Sequence, residues 1–356
     1  MVGNIALRHK IQPGCRVAVV RWSDPDENAA AICYELKKLG YQTRSFMFDA
    51  PVPQDVNVVF TFAPYGRFQH IPRQISQMAA GKRPLLIHWN FESIPNINIP
   101  WAILSTLSGI RSGIDRMSDR NGRWARAITR NALFLRLNTK MYKLRYVGDY
   151  LHAHKNGSLN LLCDSSAIFA KIFLAHGLPA KYVPWGVSPQ WYDDLRLERD
   201  IDVLWLGQRR TKRRGELLIA VREQLARYGR TMYIADNVEN PFIYGDVRTR
   251  FLNRAQIVLN ILPTWYDPGF SFRFNKAAAN KALVISTPTL PHVPLYKPGK
   301  HFVVAQPESL VDTILYYLEH PAEREQIAHN AYQLVTQQLT LAGSVRSVMN
   351  AVLEMS

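Results

Sequence analysis

Residues 257–287, IVLNILPTWYDPGFSFRFNKAAANKALVIST, constrain the fold more than any other stretch of the chain. IVLNIL and LVIS are short, apolar and β-rich, the pattern of strands buried on both faces. Between them, PTWYDPG carries two prolines, a glycine and two aromatics, the composition of an exposed loop. RFNKAAANK then has the alanine content of a helix, with Ser271 placed to cap it. Two buried strands joined through a helix form a parallel pair. In an open sheet of such pairs, ligands bind at the carboxyl ends of the strands. The loop also brings Asp267, Arg273 and Lys276 near a helix N-terminus, where anions are favoured.

The same rhythm fills most of the chain. In residues 16–92, RVAVVRW, QTRSFMF, NVVFTF and PLLIHWN read as four strands. The helix after the first strand has Ser23 or Asp24 as its cap and Gly40 as its end. A second helix, RQISQMAAG, ends at Gly81. RWSDPDEN follows the first strand where a dinucleotide fold carries G-x-G-x-x-G, which weighs against an ordinary NAD-binding domain. Further on, LNLLC and AKYVPWGV are strands around a helix that ends near Gly177. VLWLG then opens a second series, ending at Gly207. Strands alternating with helices predict an α/β protein with doubly wound parallel sheets, and 356 residues suffice for two domains.

Residues 100–150 break the rhythm and read as one or two helices interrupted near Asn121-Gly122. The chain holds 44 Lys and Arg against 28 Asp and Glu, a net charge of +16. Residues 111–145 hold ten basic and two acidic residues, +8 and so half of that excess. The basic residues recur at helical steps, as in Arg116, Arg120 and Arg123, with Trp124, Ile128 and Leu133 on an apolar side. Such a segment suits an anionic membrane surface, a helix packed on its domain with solvated charges, or a polyanion such as nucleic acid. Aromatics interleaved with the charges, which single-stranded nucleic acid needs, reduce here to Trp124.

No apolar run is long enough to span a membrane, and MVGNIALRHK lacks the apolar core of a signal peptide. Cys15, Cys33 and Cys163 are odd in number and widely spaced, which argues for reduced thiols in the cytoplasm and against a disulfide framework or zinc site.

The 257–287 stretch resembles the donor-nucleotide site of GT-B glycosyltransferases of the group 1 superfamily, in the spore-maturation-protein-like branch. There an acidic loop precedes a helix reading roughly F-E-A-x-A-x-G and a strand of the P-V-I-S type. Ala277, Ala279 and Leu283-Val284-Ile285-Ser286 match that pattern. Lys276 stands where the helix glutamate is usual, Lys281 where a glycine is usual, and Asp267 lies one residue out of register. Pro184-Trp185-Gly186-Val187 is similar to the sequence that closes the family's first domain. Residues 301–335 resemble its ending, a strand, a D/E-x-L helix and a helix beginning P-x-E-R.

The resemblance implies two Rossmann-like domains facing across a cleft. The first, residues 1–192, would bind acceptor and carry the basic insertion at about 100–150. The second, residues 193–340, would bind the nucleotide sugar, and a helix at 341–356 would cross back to the first. It implies a metal-independent hexosyltransferase-like enzyme, of the retaining kind, with no cofactor and a UDP-sugar or GDP-sugar as co-substrate. The acceptor would be a glycan or lipid-linked saccharide, at the inner face of the membrane. His88 would touch the sugar near the reacting carbon, although a buried histidine satisfied by backbone fits LLIHWNFE as well. Glu92 is a second acid/base candidate, and Asp267 would position sugar hydroxyls. In the basic loop after Gly207, Arg209, Arg210, Lys212, Arg213 and Arg214 are candidates to grip the diphosphate, Arg213 and Arg214 foremost. Arg273 joins them. Lysine donates but cannot accept, so the Lys276 ammonium is expected at a phosphate, with ribose recognition passed to Asn275. Two rival readings share the architecture: a non-catalytic polyanion or nucleic-acid binder, and a DNA-modifying glucosyltransferase.

Overall fold

A computed structural model describes residues 14–62, 68–118, 143–209 and 211–354. They form two compact α/β units, one of residues 1–183 with 346–356 and one of residues 184–345. In the first, β1 (Arg16–Arg21), β2 (Gln42–Met47), β3 (Val58–Phe62), β4 (Leu85–Asn90), β5 (Leu161–Asp164) and β6 (Ala180–Tyr182) pair in the order β2-β1-β3-β4-β5-β6. Every pairing is parallel. All residues of β3 and β4 are buried, which is why these runs are apolar without alternation.

The first helix, α1 (Glu27–Lys38), is capped by Asp26, whose Oδ1 accepts from the Asn28 and Ala29 N–H groups at 3.1 Å. That corrects the assignment of the cap to Ser23 or Asp24. Helix α2 (His70–Gln77) stops before Met78, and Gly81 lies in the separate 3-10 turn Ala80–Lys82. The 100–150 region contributes α3 (Trp101–Ser118) and α4 (Leu144–Lys155). Its central arginine repeat, with Trp124, lies outside the described residues. At its ends, Arg111 bonds Asp115 at 2.8 Å, and Arg145 lies 3.4 Å from Asp115 and 3.6 Å from Asp149. Arg111 therefore spends part of its charge within α3, and Arg145 spends part of its charge fastening α4 to Asp115 of α3. Helix α5 (Ala167–Ala175) completes the unit.

In the second unit, β7 (Ile201–Leu206), β8 (Met232–Ala235), β9 (Ala255–Asn260), β10 (Leu283–Ser286) and β11 (Val303–Val304) pair in the order β11-β10-β9-β7-β8, again all parallel. Helices α6 (Lys212–Arg227), α7 (Gly245–Arg254), α8 (Phe270–Ala279), α9 (Leu310–Glu319) and α10 (Pro321–Gln333) connect or cover these strands. One core runs through Val203, Trp205, Leu218, Ile257, Leu283 and Ile314.

The units divide after Val183, ahead of the 192/193 boundary expected from sequence. The reason is local pairing. Val187 N–H donates to Leu339 O, and Leu341 N–H donates to Val187 O, both at 2.8 Å. Trp185 stacks on Trp191 with ring centroids 5.8 Å apart, so residues 184–191 are packed structure of the second unit. The last helix, α11 (Leu341–Glu354), starts in the second unit, and from residue 346 it belongs to the first. There Glu354 pairs with Lys181 at 2.5 Å.

Candidate donor-binding site

The connections leaving β7 and β9 run to opposite edges of the second sheet, since β8 lies outside β7 and β10 outside β9. Their adjacent carboxyl ends are thus the sheet's switch point, where such folds bind ligands. Arg273, in the first turns of α8, reaches back into this position. Its Nε donates to Leu206 O and its Nη1 to Asn260 Oδ1, each at 2.8 Å. Its guanidinium carbon sits 4.3 Å from the Trp205 ring centroid. Asn260 closes β9 and donates from Nδ2 to Ser286 Oγ on β10 at 2.8 Å. Gly207 follows β7 with φ +124, and a Cβ there would lie 3.0 Å from Arg273 Nη2. Glycine at 207 therefore leaves the guanidinium its place.

The basic loop divides into residues of different fate. Thr211 caps α6, accepting from Arg214 N–H at 3.3 Å, so Lys212, Arg213 and Arg214 occupy the first helical turn. Arg214 is 3% exposed and structural: its Nε donates to Arg209 O at 2.8 Å, it also bonds Gln208 O, and it lies 5.5 Å from the Trp205 ring. Arg209 turns away to Asp236 and Glu239, which raise its pKa. Lys212 is exposed and 3.6 Å from Glu216, and Arg213 is exposed beside it. Arg210 lies outside the described residues. No acidic residue lies in this turn, and Glu216 in the next turn is close to Lys212 alone. Positive charge at the positive end of a helix dipole is unfavourable by itself, and a bound anion would remove the conflict.

The remaining expectations on α8 are corrected by helix geometry. At 100° per residue, Asn275 points away from Arg273. It is 1% exposed, donates to Trp185 O and accepts from Tyr296 OH at 2.7 Å, so its amide is committed to the interior. The Lys276 ammonium lies over the Trp191 ring, 5.1 Å from its centroid, and not at the switch point. Ser271 is buried within the helix and Gly269 holds the cap position. Asp267 Oδ1 accepts from Gly269 N–H at 2.9 Å just ahead of the helix. Asp267 also lies near His292. Burial pushes that imidazole down to about 4, against the opposing pull of the Asp267 charge.

Lys281 explains the glycine usual at its position. It follows α8 with φ +58, a left-handed conformation that costs an L-residue about 1–2 kcal/mol. Its ammonium pairs with Asp194 at 2.8 Å, but both groups are exposed, so the return is small. We expect Lys281→Gly to raise the urea midpoint of the protein, corresponding to about 0.5–1 kcal/mol. An unchanged or lower midpoint would show that the ion pair outweighs the backbone strain.

In the first unit, His88 is not at the end of its strand. It is the fourth of six residues in β4, 1% exposed, and burial pushes its pKa to about 3, which keeps the ring neutral. Nδ1 lies 2.8 Å from Thr61 Oγ1 and Nε2 lies 3.0 Å from Tyr150 OH. Tyr150 passes the network to Asn90 Oδ1 at 3.0 Å, and Asn90 Nδ2 donates to Asp164 at 2.7 Å. The ring is a member of a buried network, closer to the structural alternative than to a group facing a sugar. Side chains satisfy it where backbone was expected. Glu92, two residues past β4, is half-buried, with its N–H on Asn90 Oδ1 at 3.1 Å.

Trp205, Thr211, Asn260 and Ser286 were not singled out from sequence. Asn260 was readable in principle, as the polar residue interrupting IVLNIL. Among the described residues, no group of three His, Cys, Asp or Glu side chains is placed to hold a metal ion, and no helix is long and apolar enough to cross a membrane.

Residues 203–350 match the family described as glycosyl transferase-like. No curated protein matches the sequence. Over the whole chain, the fold is that of solved GT-B glycosyltransferases. Sucrose-phosphate synthase from Thermosynechococcus elongatus superposes with a TM-score of 0.60 at 12% identity, covering 96% of this chain and 100% of that one. HepE from Anabaena, in complex with UDP and glucose, gives 0.56 at 11% identity, covering 95% and 99%. WaaG, a glycosyltransferase of lipopolysaccharide biosynthesis, gives 0.55 at 12% identity, covering 94% and 99%. At these identities the likeness establishes the two-domain architecture and leaves site details to the chain's own residues.

Proposed function

We propose that the protein transfers a sugar from a nucleoside diphosphate sugar to an acceptor hydroxyl. The observation that carries this reading is Arg273 held at the switch point beside the first turn of α6, where Lys212 and Arg213 are exposed and no acidic residue lies. In the transfer, the bond from the anomeric carbon to the diphosphate oxygen breaks and a bond to the acceptor oxygen forms. The leaving diphosphate gains negative charge, and the proton of the acceptor hydroxyl passes to the departing diphosphate oxygen. Arg273, Arg213, Lys212 and the α6 N–H groups would meet that growing charge from fixed positions, the role a metal ion plays elsewhere. Asp267, in the loop ahead of α8, is the residue we assign to the sugar hydroxyls. Arg214 supports the site by holding the loop carbonyls.

HepE's complex with UDP and glucose makes a UDP-sugar the first donor to test, ahead of a GDP-sugar. The α8–β10 sequence favours the spore-maturation-protein-like branch and a retaining outcome. The basic 111–145 segment favours an anionic acceptor surface, such as a lipid-linked saccharide at the cytoplasmic face of a membrane. A thermal-shift screen over UDP-, GDP-, ADP- and dTDP-sugars tests the reading. A ligand at ~100 times its Kd stabilises the folded protein by about 2.7 kcal/mol, so one donor should raise the melting temperature by several degrees. No shift with any of the four would sink it.

A further inference from the structure

Helices α2, α3 and α4 of the first unit enclose a pocket of about 450 Å³, a size that takes a small ligand. Three cationic or titratable side chains converge on it, one from each helix: Arg73, Arg116 and His152. Burial and then the Arg116 charge hold the His152 imidazole below its ordinary pKa. Among the described residues, neither the Arg73 guanidinium nor the His152 ring has a hydrogen-bond partner. The lining also includes hydrogen-bonding groups suited to hydroxyls, Gln69 and Gln77 among them.

The single acidic group of the lining is Asp149, 2% exposed. Its Oδ1 accepts from Ser112 Oγ at 2.6 Å and from Gln69 Nε2. Its Oδ2 lies 3.6 Å from Arg145 Nε but has no hydrogen-bond donor among the described residues. Oδ2 is closed off from solvent, so this carboxylate lies behind the pocket and a ligand meets the cationic rim. Arg145 already offsets the Asp149 charge, which leaves the field of Arg73, Arg116 and His152 positive.

We propose that this pocket binds a small polyhydroxylated anion, a sugar phosphate or a uronic acid, as a site separate from the nucleotide-sugar site. Arg73, Arg116 and His152 hold the anionic group, and the amides of Gln69 and Gln77 meet hydroxyls. None of these residues belongs to the donor-site assignment.

Isothermal titration of the full chain with glucose 6-phosphate, glucuronate, glucose and inorganic phosphate tests this. Either anionic sugar should bind saturably, and glucose and phosphate alone at least about tenfold more weakly. A UDP-sugar in excess should not displace it. Arg73→Gln with His152→Gln, at exposed positions that should leave the melting temperature unchanged, should weaken binding by about tenfold or more. If neither anionic sugar binds at about 10 mM, weaker than any Kd a built site of this kind should show, the proposal fails. It fails too if the double variant binds as tightly as the wild type, if a UDP-sugar displaces the ligand, or if phosphate binds as well as the sugar phosphate, the mark of an adventitious ion only.

Discussion

Arg273→Met should weaken nucleotide-sugar binding by about 100-fold, or ~3 kcal/mol, while the protein stays folded. The expectation follows from where the guanidinium is held. Leu206 O and Asn260 Oδ1 fix two of its nitrogens at 2.8 Å, and the Trp205 ring fixes its plane. A cation so held pays little ordering entropy when it meets a phosphate, and charge-assisted hydrogen bonds contribute about 1.5–3 kcal/mol each. Methionine keeps the unbranched apolar stem against Trp205 but leaves Leu206 O and the buried Asn260 Oδ1 without this donor, so the melting temperature should fall by a few degrees with the fold retained. Arg273→Lys should recover only part of the affinity, because an ammonium cannot hold the fixed fork and a ligand oxygen together. Gly207→Ala should act in the same direction, since its Cβ would stand 3.0 Å from Nη2. Titration of the three variants with the donor found by thermal shift, alongside circular dichroism, settles the assignment. Wild-type affinity in Arg273→Met would remove the arginine from the site.

The architecture was legible because it rests on signals that survive sequence divergence. Continuous apolar runs such as VVF in β3 and LVIS in β10 are dictated by burial on both faces, and no charged residue could sit there unpaired. The candidate site was less legible because residue type does not fix direction. Five basic residues between 209 and 214 look alike in sequence. In the structure Arg209 is drawn off by Asp236 and Glu239, carboxylates about thirty positions away, and Arg214 is drawn under the loop by backbone carbonyls. Only the partners each finds in the fold separate them from Lys212 and Arg213. His88 failed for a related reason. The strand was read with its observed end at Asn90, but His88 was taken as its end residue, and within a covered central strand a side chain two residues short of the end lies in the core and not at the rim. Lys276 and Asn275 were placed by analogy with a family pattern, and the phase of α8 relative to Arg273 decided where they went.

Gly186→Ala should be among the most destabilising single-methyl additions in the chain. In sequence the residue is simply part of Pro184-Trp185-Gly186-Val187, and the pattern carries no reason for the glycine. The structure supplies one. A Cβ at 186 would lie 2.2 Å from Thr340 C, 2.3 Å from Thr340 O and 2.5 Å from Leu341 N. All three are backbone atoms, so no side chain can swing aside. The two strands are pinned at this spacing by the paired 2.8 Å hydrogen bonds of Val187 with Leu339 and Leu341. Relief would mean giving up those bonds or shifting the segment that carries Trp185 and Trp191, both nearly fully buried. Overpacking typically costs 1–3 kcal/mol, and losing backbone pairing adds to it, so we expect about 3 kcal/mol or more. At roughly 2–4 °C per kcal/mol for units of this size, the melting temperature should fall by about 6–12 °C. Gly81→Ala is the control: a Cβ there meets nothing within 4 Å, and its melting temperature should stay close to that of the wild type. Equal melting temperatures for the two variants would mean that the 186–340 contact is looser than this spacing implies, and that the glycine is not required by close approach.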